Sequence, residues 1–160
     1  MQFHPLPQPH ELSQREKEDA MGAYLMMFAA TAVGLPLPII NLIAAIVYFY
    51  VNRSKGRFVR FHALQSLYSQ IIVSLINSAM VIWLVINLVN RHPFTNHFWA
   101  LLITAGVFNL IYFVFSIVGA IRSRKGRFYY FLFFGRIAYM RVYAVRDEDE
   151  MVPENKPPQM

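Results

Sequence analysis

The chain has 160 residues, of which 56% are hydrophobic and 16% aromatic, and a formal net charge of +6. The length suits one domain, the apolar share exceeds that of a typical soluble domain, and the lack of cysteine excludes disulfides and thiolate chemistry. Between Ala20 and Arg146 the sequence has twelve Lys or Arg but no Asp or Glu, and these cations flank apolar runs. A bilayer disfavours charge at its centre and collects basic residues at its cytoplasmic rim, so this pattern predicts a membrane protein.

The first predicted segment is a polar N-terminal tail at residues 1–19. It is rich in proline and charge, and it does not show the basic, apolar and small-residue regions of a cleaved signal peptide. We therefore expect the first membrane helix to direct insertion. Ser13 precedes Glu16 by three residues, a spacing typical of a capping box at the start of a helix.

An apolar run at residues 24–51 is divided by Pro36 and Pro38. Each proline removes a backbone donor and clashes with the preceding turn, so we predict two helices, at about 20–35 and 38–52. The apolar arms of 11 and 13 residues are only about 17 to 20 Å long, short of the ~30 Å hydrocarbon core. Two geometries remain open: a hairpin of short helices at membrane depth, or one kinked and tilted span.

Two complete spans are predicted at residues 58–90 and 94–121. A polar turn at 91–97 joins them, and basic loops at 53–60 and 122–127 flank the opposite end of the pair. The positive-inside rule then places both basic loops in the cytoplasm and the turn outside. The cations expected to contact lipid headgroups are Arg53, Lys55, Arg57, Arg122, Arg124, Lys125 and Arg127.

The C-terminal part of the chain divides into two segments. The aromatic stretch at 128–142 is too short to cross a bilayer, and an interfacial helix with its rings at headgroup depth fits it better. Residues 144–160 are acidic and contain prolines, which predicts a disordered tail. The predicted fold class is therefore all-α: a polytopic membrane helix bundle at 20–143, with four membrane-embedded helices and the interfacial C-terminal helix.

Polar residues recur at helical spacing on the first long span, and a stripe of small and hydrogen-bonding residues follows on the next. The structural interpretation is helix packing, because such residues let backbones approach and bond across helices. The alternative is a polar groove for a polypeptide or another substrate. This polar seam comprises Ser66, Gln70, Ser74, Asn77, Asn109 and Ser116.

The sequence shows no pattern typical of a catalytic or metal site. Four of the five histidines lie in the tail and the turn, and His62 lies next to basic residues; His92 and His97 do not have the helical spacing of zinc ligands. The spans carry no carboxylate for ion coupling, and the chain has no Gly-rich phosphate loop. We expect no enzyme activity, no cofactor, no metal and no nucleic-acid partner.

One stretch of the sequence resembles a known family. The run from Phe58 to Leu67 (FVRFHALQSL), followed by Gln70, resembles the signature of small bacterial membrane proteins called domain of unknown function 4870. The twenty-kilodalton component of the chloroplast inner-envelope protein import machinery is similar through the same block. The segments 34–41 and 126–130 resemble the family's Pro-and-Asn break and its Gly-x-Tyr-Tyr segment, in the same order. The family motif falls on Phe58, Arg60, His62 and Gln65.

The resemblance implies an all-helical membrane bundle with both termini on one side, which favours the hairpin geometry at residues 24–51. It also implies a non-enzymatic integral membrane subunit similar to a protein-import or translocation component, which handles or scaffolds polypeptides. The competing hypothesis is a small-molecule carrier or channel that uses the polar seam. We expect a multi-pass protein of a bacterial cytoplasmic membrane, with cytoplasmic termini, anionic lipid contacts, and a membrane protein partner or a second copy of the chain.

Overall fold

A computed structural model describes residues 2–29 and 38–145 of the chain. Within these ranges the protein has five α-helices, one short 3-10 helix and no strand, so the prediction of an all-helical fold is confirmed. The helices are α1 Gln14–Leu25, α2 Pro38–Asn52, α3 Arg57–Val89, α4 Asn96–Arg124 and α5 Leu132–Tyr143, and the 3-10 helix Met26–Phe28 directly follows α1.

The longest elements are α3 and α4, which form an antiparallel hairpin. With 33 and 29 residues they are about 50 and 44 Å long at 1.5 Å per residue, more than the ~30 Å hydrocarbon core. Among the described helices, these two are long and apolar enough to cross a membrane. The prediction of four membrane-embedded helices is therefore wrong for the part of the chain that the structure describes.

Of the two remaining predicted membrane helices, the one at 20–35 lies only in part within the described residues, and the one at 38–52 is too short to span. Helix α1 begins at Gln14, within the segment predicted as a tail, and its sequence QREKEDAMGAYL has five charged residues. The capping box between Ser13 and Glu16 starts this helix. Helix α2 is apolar, but its 15 residues span only about 22 Å. The predicted break at Pro36, with the choice between hairpin and kinked span, lies outside the described residues, as does the chain beyond Val145.

The turn between α3 and α4 is capped and surrounded by aromatic rings. Thr95 accepts a hydrogen bond from the backbone N–H of Phe98 at 3.4 Å and starts α4. Trp83 packs edge-on against Phe98, with 5.9 Å between ring centroids, and Phe94 also contacts Phe98. The hairpin thus has aromatic side chains at one end and the basic loops at the other.

Helices α1, α2 and α5 pack around the basic half of the hairpin. Eleven of the fourteen buried residues of α3 lie between Phe58 and Gln70, whereas Val89 at its far end is 75% exposed. The N-terminal segment also lies at the basic end, because the His4 N–H donates to the Tyr143 carbonyl at 2.8 Å. The beginning and the end of the described chain therefore lie side by side.

Candidate functional site

Gln65 of α3 is a fully buried polar side chain with three hydrogen bonds. Its Nε2 donates to the Tyr24 hydroxyl at 2.6 Å and to the Tyr129 carbonyl at 3.0 Å, while its Oε1 accepts from the Phe131 N–H at 3.0 Å. A buried amide is stable only when its groups are bonded, and Gln65 has both donors and one acceptor engaged. This one side chain links α1, α3 and the segment that enters α5.

The bonds of Gln65 also explain where α5 begins. The prediction had an interfacial helix at 128–142, but α5 starts at Leu132. The Tyr129 carbonyl and the Phe131 N–H bond to the Gln65 amide, which holds residues 129–131 outside the helix. Gly135 then passes so close that a Cβ there would lie 2.7 Å from Gln65 Oε1 and 2.8 Å from the Tyr130 Cα.

His62, one turn earlier on α3, extends this network. Its Nδ1 lies 2.7 Å from the Tyr24 hydroxyl, which also accepts a hydrogen bond from Gln65. Nε2 is buried and has no hydrogen-bond partner among the described residues. Rings pack around the imidazole from Phe58, Phe61 and Phe128.

Helix α1 is fixed between α3 and α4 by two close contacts. The Ser66 hydroxyl donates to the Ala23 carbonyl at 2.7 Å. On the other side the Tyr24 ring lies against Gly119, where a Cβ would approach the ring to 2.8 Å. We call Tyr24, His62, Gln65, Ser66 and Gly119 the polar junction.

Further along the hairpin, the seam residues link α3 to α4. The Tyr112 hydroxyl donates to Gln70 Oε1, and Gln70 Nε2 donates to the Ser74 hydroxyl at 3.1 Å. Asn77 and Asn109 form a reciprocal amide pair, with N–H···O distances of 2.9 and 2.7 Å. Asn109 also donates to the Ala105 carbonyl at 2.7 Å.

Ser116 is the seam residue that stands apart. Its hydroxyl is buried on α4 and has no hydrogen-bond partner among the described residues. The structure thus brings the other five seam residues into hydrogen bonds, four of them across helices, while Ser116 faces α1 at the wall of a groove. Whether these bonds serve packing alone stays a prediction.

The predicted headgroup cations have varied surroundings. Lys55 forms an ion pair with Asp19 at 2.7 Å, and Arg57 bonds His4 at 3.0 Å. Arg53 and Arg122 lie over tyrosine rings, 5.4 and 5.5 Å from the centroids of Tyr50 and Tyr129. Arg124, Lys125 and Arg127 are exposed at the end of α4 and just after it. Of the resembling motif, Phe58, His62 and Gln65 are buried and Arg60 is half-buried.

Sequence reasoning missed two members of this network, Tyr24 and Gly135. Tyr24 opens an apolar run, and a lone tyrosine between alanine and leucine reads as one more apolar residue. The available signal was that a tyrosine buried in a membrane bundle needs a partner for its hydroxyl. Across residues 2–29 and 38–145, no three His, Asp or Glu side chains are grouped so that they could hold a metal ion.

Two helices are long and apolar enough to cross a membrane and are joined through buried polar side chains, a combination that indicates a helical membrane protein. The chain belongs to the magnetosome magnetite crystal formation protein family, MamF/MmsF, whose family model matches residues 16–138. No curated protein and no solved structure matches the chain.

The family match corrects the resemblance drawn from the sequence. The assignment to domain of unknown function 4870, and through it to the chloroplast import component, is wrong. The residues that suggested it, Phe58, His62 and Gln65, are buried at the entry of a long helix, where aromatic and amide side chains serve packing. The protein-import function depended on that resemblance, and the family match does not support it.

Proposed function

We propose that the chain is a non-enzymatic, multi-pass membrane subunit that acts in magnetite crystal formation as a helical scaffold. Family membership supports the process. The observation that carries the scaffolding role is the bonding of buried and half-buried amides to other helices or segments, with Gln65 to Tyr24, Gln70 to Tyr112 and Asn77 to Asn109. Amides joined in this way fix a shape, whereas a transport path needs them free to meet a substrate.

The described carboxylates also have partners inside the protein. Glu11 accepts from the Gln8 N–H at 2.7 Å, Glu16 completes the capping box, and Glu18 accepts from Gln14. Asp19 pairs with Lys55. These contacts hold the N-terminal segment and α1 in place, which supports a structural use of the acidic groups.

The proposed orientation follows from the two ends of the hairpin. We place the basic loops and both termini in the cytoplasm, and the turn at 91–97 on the opposite side, where a membrane-bounded crystal would grow. The pairing of the N-terminal segment with residues 143–145 supports termini on one side. The membrane is the bacterial cytoplasmic membrane or the magnetosome membrane. A scaffold of this kind implies anionic lipid contacts and a membrane protein partner or a second copy.

The test is complementation in a magnetite-forming cell that lacks this chain. An Asn77→Leu, Asn109→Leu double variant should reach the membrane yet give smaller or fewer crystals in electron micrographs, because the hairpin is loosened. A matched variant of the turn, His92→Ala with His97→Ala, should restore normal crystals. The reverse result, with normal crystals from the loosened hairpin and none from the turn variant, would replace scaffolding by direct contact with the mineral or its ions.

The channel alternative is tested separately at Gln70. A Gln70→Cys variant should not react with a membrane-impermeant thiol reagent, because the side chain at residue 70 is 2% exposed between α3 and α4. Val89→Cys, at the exposed end of α3, is the positive control. Rapid labelling at residue 70 in intact membranes would favour a water-filled path along the seam.

A further inference from the structure

A groove of about 620 Å³ lies between α1 and α4 at the basic end of the bundle. Its walls are apolar, and its volume falls within the ~300 to 1,000 Å³ typical of small-molecule sites. The side chains that matter here are Met21, Leu25 and Phe28 on one wall and Ile117 and Ile121 on the other.

The polar junction forms part of the boundary of this groove. Tyr24 lines it, and the approach of the Tyr24 ring to Gly119 brings α1 against α4 at that point. Ser116 also lines it, with a buried hydroxyl that no described residue bonds. The groove therefore runs from a polar mouth at the end of α4 along apolar side chains toward the membrane interior.

The mouth of the groove is cationic. Arg124 and Lys125 line it and are exposed, and neither forms an ion pair with a carboxylate in the described part of the chain. Gln14 lies beside these two cations, and its amide donates to Glu18 at 3.1 Å. Two positive charges at the mouth therefore stand against the one negative charge of Glu18. Lys55, by contrast, is paired with Asp19. Basic pockets between helices at the cytoplasmic face are typical binding sites for anionic lipid headgroups.

We propose that this groove binds one anionic phospholipid, with an acyl chain against the walls formed by α1 and α4 and the phosphate held by Arg124 and Lys125. The charge of the mouth matches the headgroup, and the apolar walls match the chain. This goes beyond the general headgroup contact expected of all the basic residues, since it assigns one lipid to one groove. It is independent of the scaffolding role, because it concerns the binding of a lipid and not the bonds that hold the helices together.

The test uses the purified full-length chain in vesicles that contain phosphatidylglycerol with a diazirine in one acyl chain. After irradiation, peptide mapping should place the cross-links on α1 and α4 at the groove walls. Arg124→Gln with Lys125→Gln should reduce these cross-links at least fivefold. The matched pair Arg53→Gln with Arg136→Gln removes the same charge from exposed residues outside the groove and should leave them unchanged.

A second variant tests the groove without touching its charges. Ile117→Trp should fill the space and reduce the cross-links, while Ile103→Trp, on the same helix and 66% exposed, should not. Thermal unfolding in detergent verifies that each variant is folded.

Three results would overturn the proposal. The first is an equal loss of cross-links in both charge pairs, and the second is equal cross-linking by a phosphatidylcholine analogue. The third is displacement of the lipid by millimolar inorganic phosphate, which would indicate a free-anion site.

Discussion

At the scale of single residues, Gln65 shows how a bundle with few polar groups uses them. Leucine would satisfy the apolar surroundings, but only an amide offers two donors and an acceptor in one plane. Gln65 reaches Tyr24 on α1 and the backbone at Tyr129 and Phe131 at the same time. Its loss therefore affects three elements at once.

We predict that Gln65→Leu lowers the free energy of unfolding by about 2 to 4 kcal/mol. The substitution leaves the buried Tyr129 carbonyl and the Phe131 N–H without their partner, and each unsatisfied buried group costs about 1 to 3 kcal/mol. Thermal unfolding in detergent measures the change. Gln8→Leu, on an exposed residue of the N-terminal segment, is the control and should have little effect. Equal stability of the two variants would contradict the central role of Gln65.

Glycine positions provide a second prediction at this scale. Gly135→Ala should destabilise the protein, because the new Cβ would meet the Tyr130 backbone at 2.8 Å and the backbone cannot move aside cheaply. Gly106→Ala, on α4, has nothing within 4 Å of its Cβ and should be neutral or gain up to ~1 kcal/mol of helix stability. The two unfolding temperatures should therefore shift in opposite directions or differ clearly. Identical shifts would mean that α5 does not pack against α3 as described.

The residues of the polar network differ in how far the sequence could predict them. Gln70 and Asn77 were found because they share one face of one helix, and helical spacing is a local property. Tyr24 meets Gln65 across 41 positions, and that pairing follows from the packing of α1 against α3, which no periodicity encodes. Gly135 is similar, since the closeness of its backbone to Gln65 is visible only once α5 is in place.

At the scale of elements, the hairpin of α3 and α4 was the most predictable part of the molecule. Apolar runs bounded by basic loops gave spans at 58–90 and 94–121, and the helices run Arg57–Val89 and Asn96–Arg124. Helix α1 was harder, because charged residues at its start suggested a solvated tail. Its capping box and its burial against α3 and α4 make it a helix of the bundle instead.

The element-scale prediction concerns the amide pair that joins α3 and α4. Asn77→Leu and Asn109→Leu should each destabilise the hairpin, and the double variant should lose less than the sum of the single changes, with a coupling of about 0.6 to 2 kcal/mol. A double-mutant cycle in detergent measures this. Gln70→Leu should also destabilise the protein, since it removes the bond from Tyr112. Strict additivity of the Asn77 and Asn109 variants would show that the pair does not interact.

At the scale of the whole molecule, the bundle has two unlike ends. The basic end contains α1, α2, α5 and the N-terminal segment, and it includes most of the buried residues of α3. The aromatic end is a bare pair of helices with Trp83 and Trp99 near the turn. Basic residues favour the cytoplasmic rim and tryptophan favours the interface, so this asymmetry implies one orientation in the bilayer.

The last prediction tests that orientation directly. Reporter fusions after residue 56, residue 94 and residue 126 should report inside, outside and inside, because the loops at 53–60 and 122–127 carry eight Lys or Arg against the single Arg91 in the turn.

Since the His4 N–H bonds the Tyr143 carbonyl, a tag at the N-terminus should be protected from protease added to intact cells. Replacing Arg122, Arg124, Lys125 and Arg127 by glutamine should lower the fraction of correctly oriented chains, whereas Arg91→Gln should raise it or leave it unchanged. An external signal from the fusion at residue 56 in the unmodified chain would reverse the orientation and, with it, the side of the membrane that the turn faces.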